Sequence, residues 1–157
     1  MEKHGYRFSF GPWNIHQGAD PFGPPVRAAR DFNDKLKIYK ELAFDAVQFH
    51  DDDAVPDLDD LSPSQIREQA RAMHKTLVDN GLAAEFVAPR LWEHPMTIDG
   101  AFTSNDPDAR AYAIERAKKT VNIAHELDTD LMVLWLAREG TYLREAKDAV
   151  RATHQLL

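Results

Sequence analysis

Short apolar segments alternate with amphipathic segments along the whole chain. Apolar runs of strand length lie at residues 8–13, 46–49, 84–88 and 131–135. Amphipathic helices are predicted between them, at about residues 33–42, from Ser62 to Asn80, from Asp106 onwards, and from near Tyr142. Strands that alternate with helices predict a parallel sheet with right-handed crossovers. The pattern therefore predicts an α/β fold of four βα units without an internal linker.

The second predicted helix carries the clearest end signals. Its first residues, Ser-Pro-Ser-Gln at 62–65, match a capping box with proline at the first helical position. Gly81 follows as a left-handed stop. Two other helix ends depart from this pattern, because Ala43 and Asp128 occupy positions where glycine normally ends a helix. Alanine in the left-handed conformation costs about 1 kcal/mol.

The third predicted helix begins at Asp106, whose carboxylate suits the positive end of the helix dipole. Its apolar face is predicted to comprise Ala113, Ala117, Val121 and Ala124. The segment between residues 51 and 60 is predicted to be an acidic loop.

Composition excludes several classes of protein. The chain has 157 residues, 43% of them hydrophobic and 29% charged, as expected for one globular domain. A net charge of −7 without a basic block argues against nucleic-acid binding. The absence of cysteine excludes disulfides and thiolate metal sites. Neither a signal peptide nor a membrane span is predicted, so we expect a cytoplasmic protein.

The residues that close the predicted strands are chemically unusual. Trp13 closes the first strand, His50 follows the second, Trp92 follows the third and Trp135 closes the fourth. Since parallel strands end at one edge of a sheet, these side chains are predicted to form one pocket. Three aspartates, 51–53, follow His50 directly.

Six short motifs resemble the xylose isomerase family, in the shorter form common in actinobacteria, and place this chain as a divergent member. The motifs cover almost the whole chain and occur in the family's order. They are FSFGPW at 8–13, DPFG at 20–23, VQFHDDD at 47–53, LWEHP at 91–95, GAFTSND at 100–106 and WLAREG at 135–140.

The resemblance implies a TIM (β/α)8 barrel, of which residues 1–157 would form the N-terminal half. A complete barrel takes about 250 residues. The resemblance also implies isomerisation of an aldose to a ketose, of the D-xylose to D-xylulose type, by sugar ring opening and a metal-assisted hydride shift. Two divalent metal ions, Mg or Mn, and a tetrameric assembly are implied, with metal ligands on later strands that this chain lacks. We therefore expect the isolated chain to be inactive.

Catalytic roles follow from the resemblance for His50 and Asp53. The histidine would assist ring opening, and the carboxylate would hold the imidazole in one tautomer. A metal site built from His50 and the aspartates is less attractive, because adjacent residues of a strand point to opposite faces. No metal ligand is therefore assigned in this chain.

Substrate-binding roles are implied for four aromatic residues. Trp13, Trp92 and Trp135 would form the walls of the sugar pocket, and Phe22 would reach into a neighbouring subunit's pocket. Trp92 replaces the family's usual phenylalanine, and Ala88 replaces a threonine that contacts substrate.

Several alternatives remain open. The expected partners are the sugar together with a second copy of the chain or a complementary C-terminal half. A non-catalytic half barrel that binds a sugar or a partner protein, and a related barrel isomerase or epimerase with another substrate, are the alternative functions. The aromatic residues could also be ordinary core residues.

Overall fold

The computed structural model describes residues 5–19, 23–139 and 146–157. Each strand is followed by one or two helices, with short 3-10 turns at Pro12–Asn14 and Pro95–Thr97. The elements are β1 (Ser9–Phe10), α1 (Phe32–Glu41), β2 (Ala46–His50), α2 (Asp51–Ala54), α3 (Pro63–Asp79), β3 (Ala83–Ala88), α4 (Pro107–Glu126) and α5 (Ala149–Leu156).

The sheet is parallel, as predicted, with the strand order β1-β2-β3. In the register, Ser9 lies opposite Ala46 and His50 lies opposite Ala88. The register shifts by one residue after Val47, which indicates a β-bulge. The α/β class is therefore confirmed, and β2 is the central strand.

The predicted fourth strand is wrong within the described residues. Only one bridge forms there, between Val87 and Met132, with Val133 N donating to Val87 O at 3.0 Å. Among the described residues, no strand lies on the other side of those that follow Met132, so apolar sequence alone does not hold them in a ladder. The predicted first strand is also shorter than expected, because Pro12 begins a 3-10 turn.

The core lies between the sheet and the helices. Val47, Phe49 and Val87 are fully buried on the helix-facing side of β2 and β3. They belong to one cluster with apolar residues of α1, α3 and α4. Each fully buried side chain of this size contributes about 1.5–3 kcal/mol of hydrophobic stabilisation.

The start of α3 is confirmed. The Ser62 side chain accepts from Gln65 N, and the Gln65 side chain accepts from Ser62 N at 2.9 Å. These reciprocal bonds satisfy backbone donors that the first helical turn leaves unpaired. The predicted stop is confirmed as well, with Gly81 at a φ of 71°.

The predicted apolar face of α4 is wrong at Val121, which is 54% exposed. The buried face instead carries two polar residues, Arg116 and Thr120, beside Ala113 and Ala124. Arg116 and Thr120 are buried because both donate hydrogen bonds to the carboxylate of Asp51, at the end of β2.

Two further boundaries differ from prediction. Residues 51–54 form the helical turn α2 where an acidic loop was expected. Tyr142, the predicted start of the last helix, lies outside the described residues, and α5 begins at Ala149. Within the described segments, no helix is both long enough and apolar enough to cross a bilayer.

Replacing Ala43 by glycine is expected to stabilise the fold by about 0.5–1 kcal/mol. Ala43 is exposed and has a φ of 59°, a conformation that glycine adopts without the steric cost of a Cβ. The free energy of unfolding from urea titration measures the change. The matched control is Ala72→Gly on the exposed face of α3, where the same substitution should destabilise by about 1 kcal/mol. A destabilised Ala43→Gly protein would contradict the assignment of strain to this residue.

Candidate active site

The carboxyl ends of the strands surround one cavity of about 470 Å³. Trp13, His50, Trp92 and Trp135 all line it, as the sequence predicts. Gln48, to which the sequence assigned no role, lines the same cavity. Four residues from separate segments of the chain thus converge because parallel strands end at one edge of the sheet.

Two indoles hold the imidazole of His50. The Trp13 and His50 ring centroids are 4.2 Å apart with a 33° angle between planes. Trp92 meets His50 edge to face, at 5.0 Å and 73°. Trp13 reaches this position because residue 11 is glycine, since a Cβ there would overlap the indole. The histidine therefore lies between two aromatic rings, with a relative exposure of 9%.

Asp53 fixes the orientation of His50. Its Oδ2 lies 3.1 Å from His50 Nδ1 and accepts from the His50 backbone N–H at 3.2 Å. Burial by itself would raise the pKa of Asp53, but the hydrogen bonds from His50 and the charge of Arg90 outweigh it and lower that pKa below its usual value. The carboxylate stays ionised and accepts from Nδ1–H, so in the neutral form of His50 the acceptor nitrogen is Nε2.

Arg90, two residues after the end of β3, neutralises charge in the acidic turn. Its Nε lies 2.8 Å from Asp52 Oδ1, and its Nη2 lies 3.1 Å from Asp53 Oδ1. The guanidinium also stands 5.9 Å from the Trp92 ring centroid, within range of a cation–π interaction. One arginine thus connects both carboxylates to an aromatic wall of the cavity.

Asp51 is fully buried and forms an ion pair with Arg116 of α4. The two guanidinium nitrogens Nε and Nη2 donate to its two oxygens at 2.8 and 2.9 Å, a bidentate pairing. Thr120 Oγ1 donates to the same carboxylate at 3.1 Å, and the backbone N–H groups of Arg90 and Asp52 donate at 3.0 Å each. Asp51 therefore anchors the acidic turn to α4.

A second carboxylate supports the outer side of Arg116. Asp59 Oδ2 accepts from Arg116 Nη1 at 2.9 Å and from the Tyr112 hydroxyl at 2.6 Å. Burial first, and then the hydrogen bond to Asp59, raises the pKa of Tyr112 to about 12, so its hydroxyl keeps its proton. The Tyr112 ring also stacks on His94 at 4.6 Å, which gives that histidine a packing role.

The ligand atoms of His50, Asp52 and Asp53 lie within 4.8 Å of one another. They converge because the chain turns into a helix after His50, so the strand alternation used against a metal site does not apply here. The donor set nevertheless does not fit a divalent ion. Each carboxylate already pairs with Arg90, whose guanidinium supplies the positive charge at this point.

Some site residues carried a weak signal or none in the sequence. Arg90 could have been suspected from its place two residues after a strand, whereas Arg116 sits on a helix face expected to be apolar. Trp135 lines the cavity and yet is 63% exposed. Phe22 lies outside the described residues, so its role stays a prediction.

Comparison with known proteins identifies an enzyme to which most of the chain aligns. The chain is 38% identical over 137 residues to a xylose isomerase from Thermus thermophilus. This match covers 86% of the chain and 35% of that enzyme, so the chain spans about a third of its relative's length. No protein-family model matches the chain.

Asp53→Asn is expected to lower the stability by about 1–2 kcal/mol at pH 7. The lowered pKa of Asp53 stabilises the folded state fully above the usual aspartate value of about 3.9, and this contribution is lost as the pH falls through the lower folded value. The difference in unfolding free energy between wild type and variant should therefore shrink between pH 5 and pH 2. Urea titrations across that range measure it, with the exposed Asp60→Asn as the matched control. A difference independent of pH would contradict the pairing.

Arg116→Met is expected to cost about 3–5 kcal/mol, because it leaves the Asp51 charge buried without a partner. Adding Asp51→Asn should restore part of that loss, since a neutral amide needs no counter-charge. Urea titration of the two single variants and the double variant measures the coupling. A double variant less stable than Arg116→Met alone would exclude the ion pair as the cause.

Proposed function

We propose, since the chain belongs to the xylose isomerase family, that it forms the N-terminal half of a (β/α)8 barrel that interconverts an aldose and a ketose. D-xylose and D-xylulose are the expected type of pair. The observation that carries the proposal is the single cavity shared by Trp13, His50 and Trp135, with Asp53 bonded to the back of the imidazole.

His50 would transfer the proton that moves from the C1 hydroxyl to O5 during sugar ring opening. When the C1–O5 bond of a cyclic aldose breaks, the C1 hydroxyl loses a proton and becomes the carbonyl, while O5 gains a proton. The Nε2 of His50 can accept the first proton and return it to O5, so the step is balanced. Asp53 contributes by keeping Nε2 free to accept and by stabilising the imidazolium that forms in between.

The aromatic side chains would supply the walls of the sugar site. Apolar ring faces suit the C–H surface of a sugar and exclude water, which protects the hydrogen transfer between C1 and C2. Trp13 and Trp92 already pack against His50, at 4.2 and 5.0 Å between ring centroids. Trp135, on the segment after α4, would close the opposite side.

The hydride shift needs groups that the described residues do not supply. Divalent metal ions, the cofactor of the family, polarise the carbonyl of the open-chain sugar as Lewis acids when bound. Because Arg90 occupies the acidic turn, the proposal assigns the metal ligands to the remaining part of the barrel. His50 and Asp53 therefore act before the hydride shift and not in it.

Exposed apolar residues support completion of the sheet by further strands. Phe8 is 59% exposed, Leu134 48% and Trp135 63%, all near the open edges of the described sheet. Parallel sheets are stable when both faces are covered and edges are paired. A complementary C-terminal half, or another copy of this chain, would cover these residues and enclose the cavity.

The 157-residue chain alone is expected to show no turnover of D-xylose with Mg²⁺. Turnover should appear when the chain replaces the aligned segment of the Thermus thermophilus enzyme, because the remainder supplies the missing ligands. His50→Gln in this chimera should lower kcat by about 10²–10⁴, the usual contribution of a general acid–base group. A coupled assay of xylulose formation measures the rates.

The exposed His154→Gln is the matched control and should leave the rate unchanged. An active isolated chain would refute the division of roles, and an active His50→Gln chimera would refute the role of His50. A chimera that is folded and binds D-xylose but lacks turnover would favour the non-catalytic sugar-binding alternative.

A further inference from the structure

Three polar side chains from the three strands are hydrogen-bonded to one another below His50. Gln48 Nε2 on β2 donates to Ser9 Oγ on β1 and to Glu85 Oε2 on β3, at 2.9 Å each. The Ser9 hydroxyl donates to the same Glu85 oxygen. We call these three residues the cross-strand triad. Its central member, Gln48, lines the cavity that also contains His50.

A β-bulge brings Glu85 into this triad. Val47 pairs with Ala84, and the next residue of β2, Gln48, pairs with Phe86, which leaves Glu85 as the extra residue of β3. A regular strand would point adjacent side chains to opposite faces, whereas a bulge re-aims one of them. The carbonyl left unpaired in the ladder is satisfied, because Glu85 O accepts from Thr129 Oγ1 at 2.7 Å.

The triad leaves only one orientation for the amide of Gln48. An ionised carboxylate only accepts hydrogen bonds, so Glu85 requires the NH₂ group of Gln48. Ser9 has a single hydroxyl proton and gives it to Glu85, so Ser9 too can only accept from that NH₂ group. Both N–H bonds of the amide are thereby used, and its carbonyl oxygen Oε1 is the atom available to the cavity.

We propose that Gln48 Oε1 accepts a hydrogen bond from a hydroxyl group of the bound sugar and so determines specificity at the floor of the cavity. This inference rests on the proposed function. Gln48 and His50 are two residues apart on β2, so they share a face and stand about 7 Å apart along the strand. A polyol whose anomeric end lies at His50 can place a more distant hydroxyl at Gln48.

The other polar residues that line the cavity are engaged elsewhere. Arg90 pairs with the acidic turn, and its Nη1 lies 3.6 Å from Glu93 Oε1. His50 is assigned to the reacting end of the sugar. Selection among hydroxyl positions therefore falls to the fixed acceptor of Gln48, which a ligand lacking the matching hydroxyl would leave unpaired.

The test titrates the full 157-residue chain with D-xylose and follows backbone amide NMR shifts. Gln48→Met keeps the side-chain length and removes the acceptor, and should weaken binding roughly fivefold to tenfold. Among the xylose derivatives that each lack one hydroxyl group, the one without the hydroxyl that Gln48 accepts from should bind the wild type more weakly by a similar factor. That same sugar and D-xylose should bind Gln48→Met equally well.

Glu85→Gln is the second variant, and the exposed Glu68→Gln on α3 is its matched control. With a neutral amide at position 85, Gln48 is no longer restricted to one orientation, so binding should weaken by an intermediate factor. The side-chain NH₂ protons of Gln48 should also exchange faster with water, and this measurement does not require a sugar. Glu68→Gln should change neither.

Equal binding of D-xylose by wild type and Gln48→Met would overturn this inference and leave the proposed function standing. Absence of binding by the wild-type chain would overturn it as well, while turnover by the chimera would still decide the proposed function. Rapid exchange of the Gln48 NH₂ protons in wild type would exclude the fixed orientation.

Discussion

The carboxylate of Asp51 is a negative charge with no exposed surface, placed at the point where β2 ends. Its removal from water carries a large desolvation cost, which only a well-aligned partner can offset. Arg116 provides that partner from α4, 65 residues later in the chain. Such a pair adds little net stability compared with apolar packing, but it permits few alternative positions for either group. The location of α4 relative to the end of β2 is thereby determined.

A series of contacts that starts at Asp51 positions the other charged residues of the site. Asp51 also accepts from the backbone N–H of Arg90, at 3.0 Å, which positions the chain two residues after β3. The Arg90 side chain then holds Asp52 and Asp53, and Asp53 holds the imidazole of His50. A proton-handling group thus receives its orientation through successive ion pairs that connect two strand ends with one helix.

The same chemistry explains why three consecutive aspartates are tolerated. Each carboxylate would raise the pKa of its neighbours if they stood alone. Arg90 and Arg116 supply two positive charges at short range. The pKa of Asp53 is lowered in spite of its burial, whereas at Asp52 burial outweighs the arginine contacts and raises the pKa. The turn is consequently a structural support for His50 in the proposed reaction and a poor receptor for an additional cation. On the opposite side of His50, Trp13 and Trp92 exclude water from the ring.

Local sequence was sufficient to predict the features that depend on residues close together in the chain. Strand and helix periods, the capping box at Ser62 and the left-handed end at Gly81 follow from nearby residues, and convergence of Trp13, His50 and Trp135 follows from parallel strand ends. Pairings across tens of residues could not be predicted in this way: the helical turn at 51–54 and the polar face of α4 exist because Asp51 must meet Arg116. The bulge at Glu85 depends on the pairing of β3 with β2, and the reduction of the fourth strand to one bridge depends on its pairing with β3. Sequence by itself determined the order of the elements and the chemistry at their ends, whereas tertiary structure decided which charges meet, because burial makes the cost of a carboxylate depend on its distant partner.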